Sequence, residues 1–421
     1  MKKIPKLRFK EFSEEWEEKK LEKIFEIFNG YAFSSKENVK KGIILLKIAN
    51  IGITKLNKND ISFLPINFLD LYSKFLLKKG DIVIALTRPL LNGKLKIAEI
   101  NEYFNNCLLN QRVGKILTKE NKKFIYNMLQ NKNYIKKIEN NISGSDPPNL
   151  STESIKDINI TIPILQEQEK IADFLSSVDV KINLTENKLE LLKEYKKGIM
   201  QKIFSQELRF KDSNGNAYPK WEEKKFNEVF SFLQNNTFSR ECLTTEKQEV
   251  QNIHYGDILT KYNNILKITN DIPYIKKEYN LSKFSEESFL KTGDIIIADT
   301  AEDFTVGKAI EISNTKKKKV LSGLHTFACR TNFNFAFGYL GQYLNSNQYH
   351  LQLYFFVTGI KVSSISKHSI KDTKLFFPKN EKEQKKIADF LSSIDTKIEK
   401  LSDELENLKE FKKGLLQQMF V

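Results

Sequence analysis

Two stretches of this chain carry apolar residues at the 3.5-residue interval of helices that pack along a seam. In Gln166–Phe204, Leu175, Ile182, Leu189 and Ile203 share one seam position and Val178, Leu192 and Ile199 the other, with Thr185 and Lys196 as polar interruptions. In Lys382–Phe420 the seam is Leu391, Ile398, Leu405 and Met419 with Ile394, Leu401, Leu408 and Leu415, interrupted by Lys412. Neither stretch has an internal proline, and glycine comes only near the end. Each is therefore expected as one unbroken rod of roughly 60 Å, from about 40 residues at ~1.5 Å each. Such a stripe needs a helical partner, and the two rods are each other's natural choice. Paired antiparallel, they would push the globular regions to opposite ends about a pseudo-two-fold axis. The two seam lysines are open to two readings. One is a polar device that restricts register at some expense in stability; the other is a side chain snorkelling out at a frayed end.

Upstream of each rod the pattern turns mixed. Short β-rich runs such as Gly42–Ile51, Asp81–Leu86, Ile158–Ile162 and Asp294–Ala298 alternate with turns and short helices, which predicts an α+β chain. The expected organisation is a globular domain over residues 1–150, a linker and long helix over 151–207, a second globular domain over 208–366, and a second linker and helix over 367–421. The halves repeat one another. IADFLSSVDVKINLTENKLELLKEYKKG (Ile171–Gly198) returns without a gap as IADFLSSIDTKIEKLSDELENLKEFKKG (Ile387–Gly414), 216 residues later. WEEKK recurs at Trp16 and Trp221, LKKGDIVIA at Leu77 returns as LKTGDIIIA at Leu290, and SIKD stands at Ser154 and Ser369. Between these anchors the halves differ, as one scaffold presenting two surfaces would.

Composition narrows the partners. With 421 residues, 40% of them hydrophobic, the chain can hold more than one core. No apolar run approaches the ~20 residues of a membrane span, and the opening MKKIPKLRFKEF has charge without the apolar stretch of a signal peptide; a cytoplasmic protein without membrane contact is expected. Lys and Arg number 68 against 53 Asp and Glu, a formal net charge of +15. Nucleic acid is the obvious polyanion, although scattered surface lysine gives the same count. Cys107, Cys242 and Cys329, like His254, His325, His350 and His368, lack ligand spacing, so no metal or cofactor is expected.

One longer block speaks to function. GSDPPNLSTESIKDINITIPILQEQEKIADFLS (Gly144–Ser176), repeated as GIKVSSISKHSIKDTKLFFPKNEKEQKKIADFLS (Gly359–Ser392), resembles the conserved region of type I restriction-modification specificity subunits. WEEKKLEKIFEIFNGYAFSS, LKKGDIVIALTRP and LLNQRVGKIL also look like a first target-recognition domain of that family. The resemblance covers essentially the whole chain. It implies a non-catalytic subunit whose two target-recognition domains, residues 1–150 and 208–366, sit on two conserved helices forming an antiparallel coiled coil. Each domain would read one half of a bipartite, asymmetric double-stranded DNA sequence. The helices would dock two S-adenosylmethionine-dependent modification (methyltransferase) subunits, to which ATP-dependent restriction subunits can be added. Two departures stand out: Glu383-Gln384 replaces Gln166-Glu167-Gln168, and the second loop lacks Pro147 and Pro148.

A stand-alone methyltransferase is the rival from the enzyme class. Asp146-Pro147-Pro148-Asn149 is similar to the loop with which amino-methyltransferases hold a flipped base. Yet Asn149 replaces the aromatic, no glycine-rich cofactor loop follows a strand, and the second half has Lys361-Val362-Ser363-Ser364 there. Gly93-Lys94 and Gly307-Lys308 lack the rest of a P-loop. A coiled-coil adaptor joining two proteins, or a specificity subunit whose partner fuses cleavage with methylation, is also compatible with the pattern.

Sequence discrimination needs side chains that reach base edges. In the first domain the candidates are Arg88, Asn92 and Lys94 after the GDIVIAL run, Asn110, Gln111 and Arg112 before the next, and Ser143 and Ser145. Arginine pairs bidentately with guanine, asparagine or glutamine with adenine. In the second domain they are Thr300, Asp303, Thr305, Lys308, His325, Thr326, Lys361 and Ser363, with Lys361 suited to phosphate. Each is also suited to capping a turn. Phe333, Phe335 and Phe337 alternate as a strand or core pattern would.

Overall fold

The computed structural model describes residues 4–142, 148–303, 305–315, 318–359 and 362–421. The chain divides into two compact units: Met1–Glu186 with Asp403–Val421, and Asn187–Ser402. Both are mixed α+β, and each long helix contributes one segment to each unit.

In the first unit four antiparallel strands lie in the order Phe25–Asn29, Val113–Thr118, Ile82–Ala85, Ile97–Glu99. The GDIVIA block owes its form to two devices. Gly80 sits at φ +85°, a left-handed turn that glycine adopts without a Cβ clash. Asp81 then turns back to accept from the Lys78 backbone N–H at 2.9 Å and pairs with Lys115 at 2.6 Å. The second unit repeats this with Gly293 at φ +92°, and with Asp294 bonded to the Lys291 N–H and to Arg330. Its five-stranded sheet runs Phe230–Phe232, Thr326–Thr331, Ile295–Ala298, Ala309–Ser313, Ile265–Lys267. The WEEKK blocks become edge strands, Glu17–Lys20 against Asn159–Ile162 and Glu222–Lys225 against Lys374–Phe377.

Two expectations of detail fail. The run Gly42–Ile51 is a strand only over Ile43–Leu46. Buried Asn50 accepts from the Lys47 N–H and donates to the carbonyls of Asn57 and Asn59, and this side-chain turn pulls the chain out of the sheet. Phe333, Phe335 and Phe337 form no strand. Phe335 packs on Tyr339 and Phe377, whereas Phe333 and Phe337 are exposed.

The long helices span Leu165–Phe204 and Glu381–Gln418. Each starts at a buried carboxylate. Glu167, 1% exposed, accepts two bonds from Arg8, at 2.8 and 2.7 Å, and one from the Trp16 indole N–H at 3.2 Å. Glu383 receives the same set from Arg209 and Trp221. Next to each, a glutamine donates to a preceding proline carbonyl, Gln168 to Pro163 and Gln384 to Pro378. Thus Glu383-Gln384 matches Glu167-Gln168, and the sequence departure leaves the contact set intact.

Within each unit the helix segments run antiparallel. In the first, Ile171, Leu175, Val178 and Ile182 share a core with Leu415, Leu416, Met419 and Phe420; in the second, Ile387, Leu391 and Ile394 share one with Met200, Ile203 and Phe204. The seam lysines are not frayed. Lys412 donates to Asp179 at 2.6 and 2.8 Å, and Lys196 to Asp395 at 2.6 Å, with lysine side chains only 12% and 13% exposed. The two pairs are the same contact seen from either repeat. A cation so far from water needs its acid, and only one register supplies it.

Lys412→Glu sets two carboxylates against each other and is expected to cost about 1.5–3 kcal/mol. The double exchange Asp179→Lys with Lys412→Glu should recover most of that loss. Urea midpoints of the three proteins measure it, and an unrecovered double mutant would disprove register control by this pair. Phe420, buried against Trp16, Phe124 and Tyr134, offers a second check. Phe420→Ala should cost about 3–5 kcal/mol and shift unfolding followed by Trp16 fluorescence in a Trp221→Phe background.

Candidate nucleic-acid interface

At one end of the central sheet in each unit three chain segments meet in the same way. In the first unit the chain leaves the strand Ile82–Ala85 through Leu86, Thr87 and Arg88. The Leu86 N–H donates to the Arg112 carbonyl at 2.9 Å, the Leu150 N–H to the Leu86 carbonyl at 2.7 Å, and the Arg88 N–H to the Pro148 carbonyl at 2.8 Å. Thr87 bridges Asn149. In the second unit the Asp299 N–H donates to the His325 carbonyl at 3.1 Å and the Ile365 N–H to the Asp299 carbonyl at 2.9 Å, while Thr300 pairs with Ser364. Backbone bonds thus equate Leu86 with Asp299, Thr87 with Thr300, Arg112 with His325, and Asn149 with Ser364. The frame is identical and most side chains differ.

In the first unit Arg88, Gln111 and Arg112 are exposed around this junction, with Asn110 half-buried and its Oδ1 accepting from the Arg112 N–H. Asn92 and Lys94 are exposed on the adjoining hairpin, Leu90–Leu91 against Lys94–Leu95. Arg88 and Asn92 take left-handed φ values of 48° and 51°, and His325 one of 55°, a strain that the surrounding backbone bonds must hold. Tyr31, absent from the sequence candidates, lies beside them. It is 40% exposed, its carbonyl accepts from the Gln111 N–H, and its ring packs on Phe33, Tyr72 and Phe75. The signal was Gly30, where a Cβ would come within 2.3 Å of the Leu109 and Asn110 carbonyl oxygens.

In the second unit Thr300 donates to Asp299 at 2.7 Å and lies 3.4 Å from His325 Nδ1. Ser363 pairs with Ala301 at the same edge. Asp303 accepts from the Thr305 N–H and hydroxyl, a closed turn that holds the Asp303 carboxyl below its ordinary value. Thr326 is buried, its hydroxyl bonded to Ser322 and the Gly323 carbonyl. Lys308 donates to the Leu259 carbonyl at 3.2 Å, and burial pushes its ammonium down. Its counterpart is Lys96 rather than Lys94, because the Ala85 and Ala298 N–H groups donate to the Lys96 and Lys308 carbonyls. Ser143, Ser145 and Lys361 lie outside the described residues.

Beside this edge sits a group that sequence reading missed. Asp257, 1% exposed, receives Arg240 at 2.7 Å and Lys261 at 3.0 Å. His254 Nδ1 accepts from the Gly256 N–H at 3.1 Å and faces Arg240 Nη2 at 3.3 Å. Tyr255 packs on His254 and, edge-on, on His325 at 5.3 Å between centroids.

Among the described residues no group of acids, histidines or cysteines is arranged to hold a metal ion, and no helix is long and apolar enough to cross a membrane.

The model of the type I restriction modification DNA specificity domain matches the chain twice, over residues 13–194 and 218–410. The type I restriction enzyme MjaVIII specificity subunit of Methanocaldococcus jannaschii is 34% identical over 207 residues, which is 48% of this chain and 49% of that protein. The chain thus aligns with about half the length of that relative. The MjaX specificity subunit of the same organism is 24% identical over 427 residues, 96% of this chain and 93% of its own. Among solved structures, the type I restriction-modification S subunit from M. genitalium has a similar fold, with a TM-score of 0.60 at 16% identity over 99% of both chains.

Burial, then the Arg240 charge, pushes the His254 imidazole below its ordinary value; Asp257 opposes this and His325 adds to it. The folded state therefore binds fewer protons than the unfolded chain. The resulting stability is present above the unfolded value of about 6.5 and is lost as pH falls below it. His254→Asn keeps an acceptor and cannot titrate, so between about pH 7 and pH 5.5 the urea midpoint of the wild type should fall relative to that of the variant; parallel midpoints would exclude a contribution from His254.

Proposed function

The chain belongs to the type I restriction-modification DNA specificity family, and from that premise we propose that it reads a bipartite, asymmetric double-stranded DNA site. One target-recognition domain, residues 1–150, takes one half, and the other, residues 208–366, takes the second half; residues 151–207 and 367–421 form the linkers and helices. The observation that carries this reading is the repeated junction with exchanged side chains. A backbone frame that is the same in both units supports one mode of approach to the duplex, while Arg112 against His325 and Asn149 against Ser364 support different preferred bases. Arg88, Asn92, Lys94, Asn110, Gln111 and Arg112 serve the first half-site, together with Ser143 and Ser145. Thr300, His325 and Ser363 serve the second, with Lys361 on phosphate. Thr326 shapes the frame, since its hydroxyl is spent within the chain, while Asp303, Thr305 and Lys308, held by their bonds within the unit, serve the second half-site with their remaining polar groups. The net charge of +15 supplies sequence-independent affinity that falls steeply with salt.

In this reading the chain carries no catalytic centre and works in the cytoplasm. The paired helices dock two modification subunits, which bring S-adenosylmethionine, and restriction subunits join them. On the first long helix, the exposed apolar pairs Val180 and Leu184 in the first unit and Leu191 and Tyr195 in the second, four residues apart in each, suit helical partners. A partner chain that fuses cleavage with methylation would meet the same side chains.

The helices also act as a spacer. Removing one heptad from both should shorten them by ~10 Å, equivalent to about three base pairs, and rotate one half-site by roughly 100°. Long-read methylation mapping of the source genome, with its partner genes expressed, tests both claims. Deleting the gene should remove one bipartite methylated motif, and the heptad-deleted variant should abandon the original spacing. An unchanged methylome would refute the reading; an unchanged spacing would refute the spacer.

A further inference from the structure

In the second unit, we infer that Arg240 reads a guanine in the half-site, held for that task by Asp257 and His254. The inference rests on the DNA-reading role proposed above and deepens it. Arg240 lies on the short turn Arg240–Cys242, away from every motif that repeats. Its Nη1 donates to Asp257 Oδ2 at 2.7 Å and its Nη2 faces His254 Nδ1 at 3.3 Å. The guanidinium side chain is nevertheless 49% exposed, while Asp257 beneath it is 1% exposed. Among the described residues, two of its five N–H donors are engaged and three are left for a ligand.

Three features set this group apart from an ordinary surface ion pair. The acid is buried and also pairs at 3.0 Å with Lys261, four residues on, so it faces two cations. His254 contributes an acceptor rather than a charge, because its Nδ1 also takes the Gly256 N–H. Gly256 lies against the guanidinium from the side, the place of a Cβ there being an ordinary contact distance of 3.4 Å from Arg240 Nη2. The result is a planar fork with its plane set before any ligand arrives, which lowers the entropy lost on bidentate pairing. Guanine O6 and N7 form the base-edge acceptor pair that such a fork fits in the major groove.

The location agrees with that role. Asn236, four residues before Arg240, donates to the Ser322 carbonyl, and the Gly323 N–H donates to the Ile253 carbonyl just before His254. These bonds tie the Arg240 turn and the His254 loop to the segment that ends at His325. In the first unit the position of His254 is held by Lys47 and that of Asp257 by Asn50, since the Asn110 N–H donates to the Leu46 carbonyl as Gly323 does to Ile253. Lys47 there pairs with Asp60. The buttressed arginine therefore belongs to one half only, as a determinant of an asymmetric site would.

Arg240→Ala and Arg240→Lys, each co-expressed with the modification partner, test this by long-read methylation mapping beside the wild type. Both should lose preference for guanine at one position of one half of the motif, by roughly tenfold or more, and keep every other position. Lysine retains the charge and a bond to Asp257 but not the fork, so a phosphate contact would survive in it. Retention of the full motif by Arg240→Ala, or of the guanine by Arg240→Lys, overturns the inference. If Arg240→Ala abolishes methylation altogether, Arg240→Lys decides alone. Failure of the underlying reading has a different signature, a wild-type protein that directs no bipartite motif at all.

Discussion

A carboxylate buried in the first turn of a helix fixes this architecture. Glu167 and Glu383 are each 1% exposed, and an uncompensated acid at that depth would cost several kcal/mol. Each is compensated by a bidentate arginine, an indole N–H and the positive end of its helix. The contact joins the segment that precedes the edge strand, the tryptophan that opens that strand, and the helix itself. Once that joint is closed the helix has one direction in which to leave. The Lys–Asp pairs Lys412–Asp179 and Lys196–Asp395 then select how far the opposing helix slides along it. Direction and register are thus set by charges kept from water, while apolar burial along the seam supplies most of the stabilisation without choosing between registers.

Much of this was legible in the sequence, and the reason is periodicity. A 3.5-residue repeat and a gapless 216-residue duplication are global properties, insensitive to any single loop. The helix limits inferred from them differ from the observed ones by no more than two residues. The role of the seam lysines stayed open because it depends on what faces them, and Asp179 and Asp395 lie on the opposing helices. The junction residues were legible only in part. Arg88, Arg112, Thr300 and His325 flank a strand that repeats, so their neighbourhood could be read. Thr326 could not be recognised as buried, because it follows an exposed residue at the start of a strand. Lys94 and Lys308 both follow a glycine, whereas the sheet bonds equate Lys308 with Lys96. A shared dipeptide does not fix equivalence there; hydrogen-bond register does. Arg240 carried no signal at all, since its partners Asp257 and His254 are distant in sequence and have no counterpart in the first half.

The two units separate what must stay constant from what can change. At each junction the constant part is made of backbone bonds: Leu86 or Asp299 donating to the neighbouring loop and accepting from the segment before the helix. Backbone groups are indifferent to side-chain identity, so Arg112 can become His325 and Asn149 can become Ser364 while the frame holds. The exchange is not unlimited, however. Side chains that serve the frame, such as Asp81 and Asp294 or the glycines before them, recur in both halves. Those at the rim differ, and each unit adds its own support, a Tyr31 aromatic cluster in one and the Asp257–Arg240–His254 group in the other. A preorganised polar side chain requires such support because its rotamers would otherwise blur the geometry on which discrimination depends. Variation at the rim therefore carries along residues one layer deeper, and that deeper layer is where the halves of a duplicated reader are expected to diverge in concert.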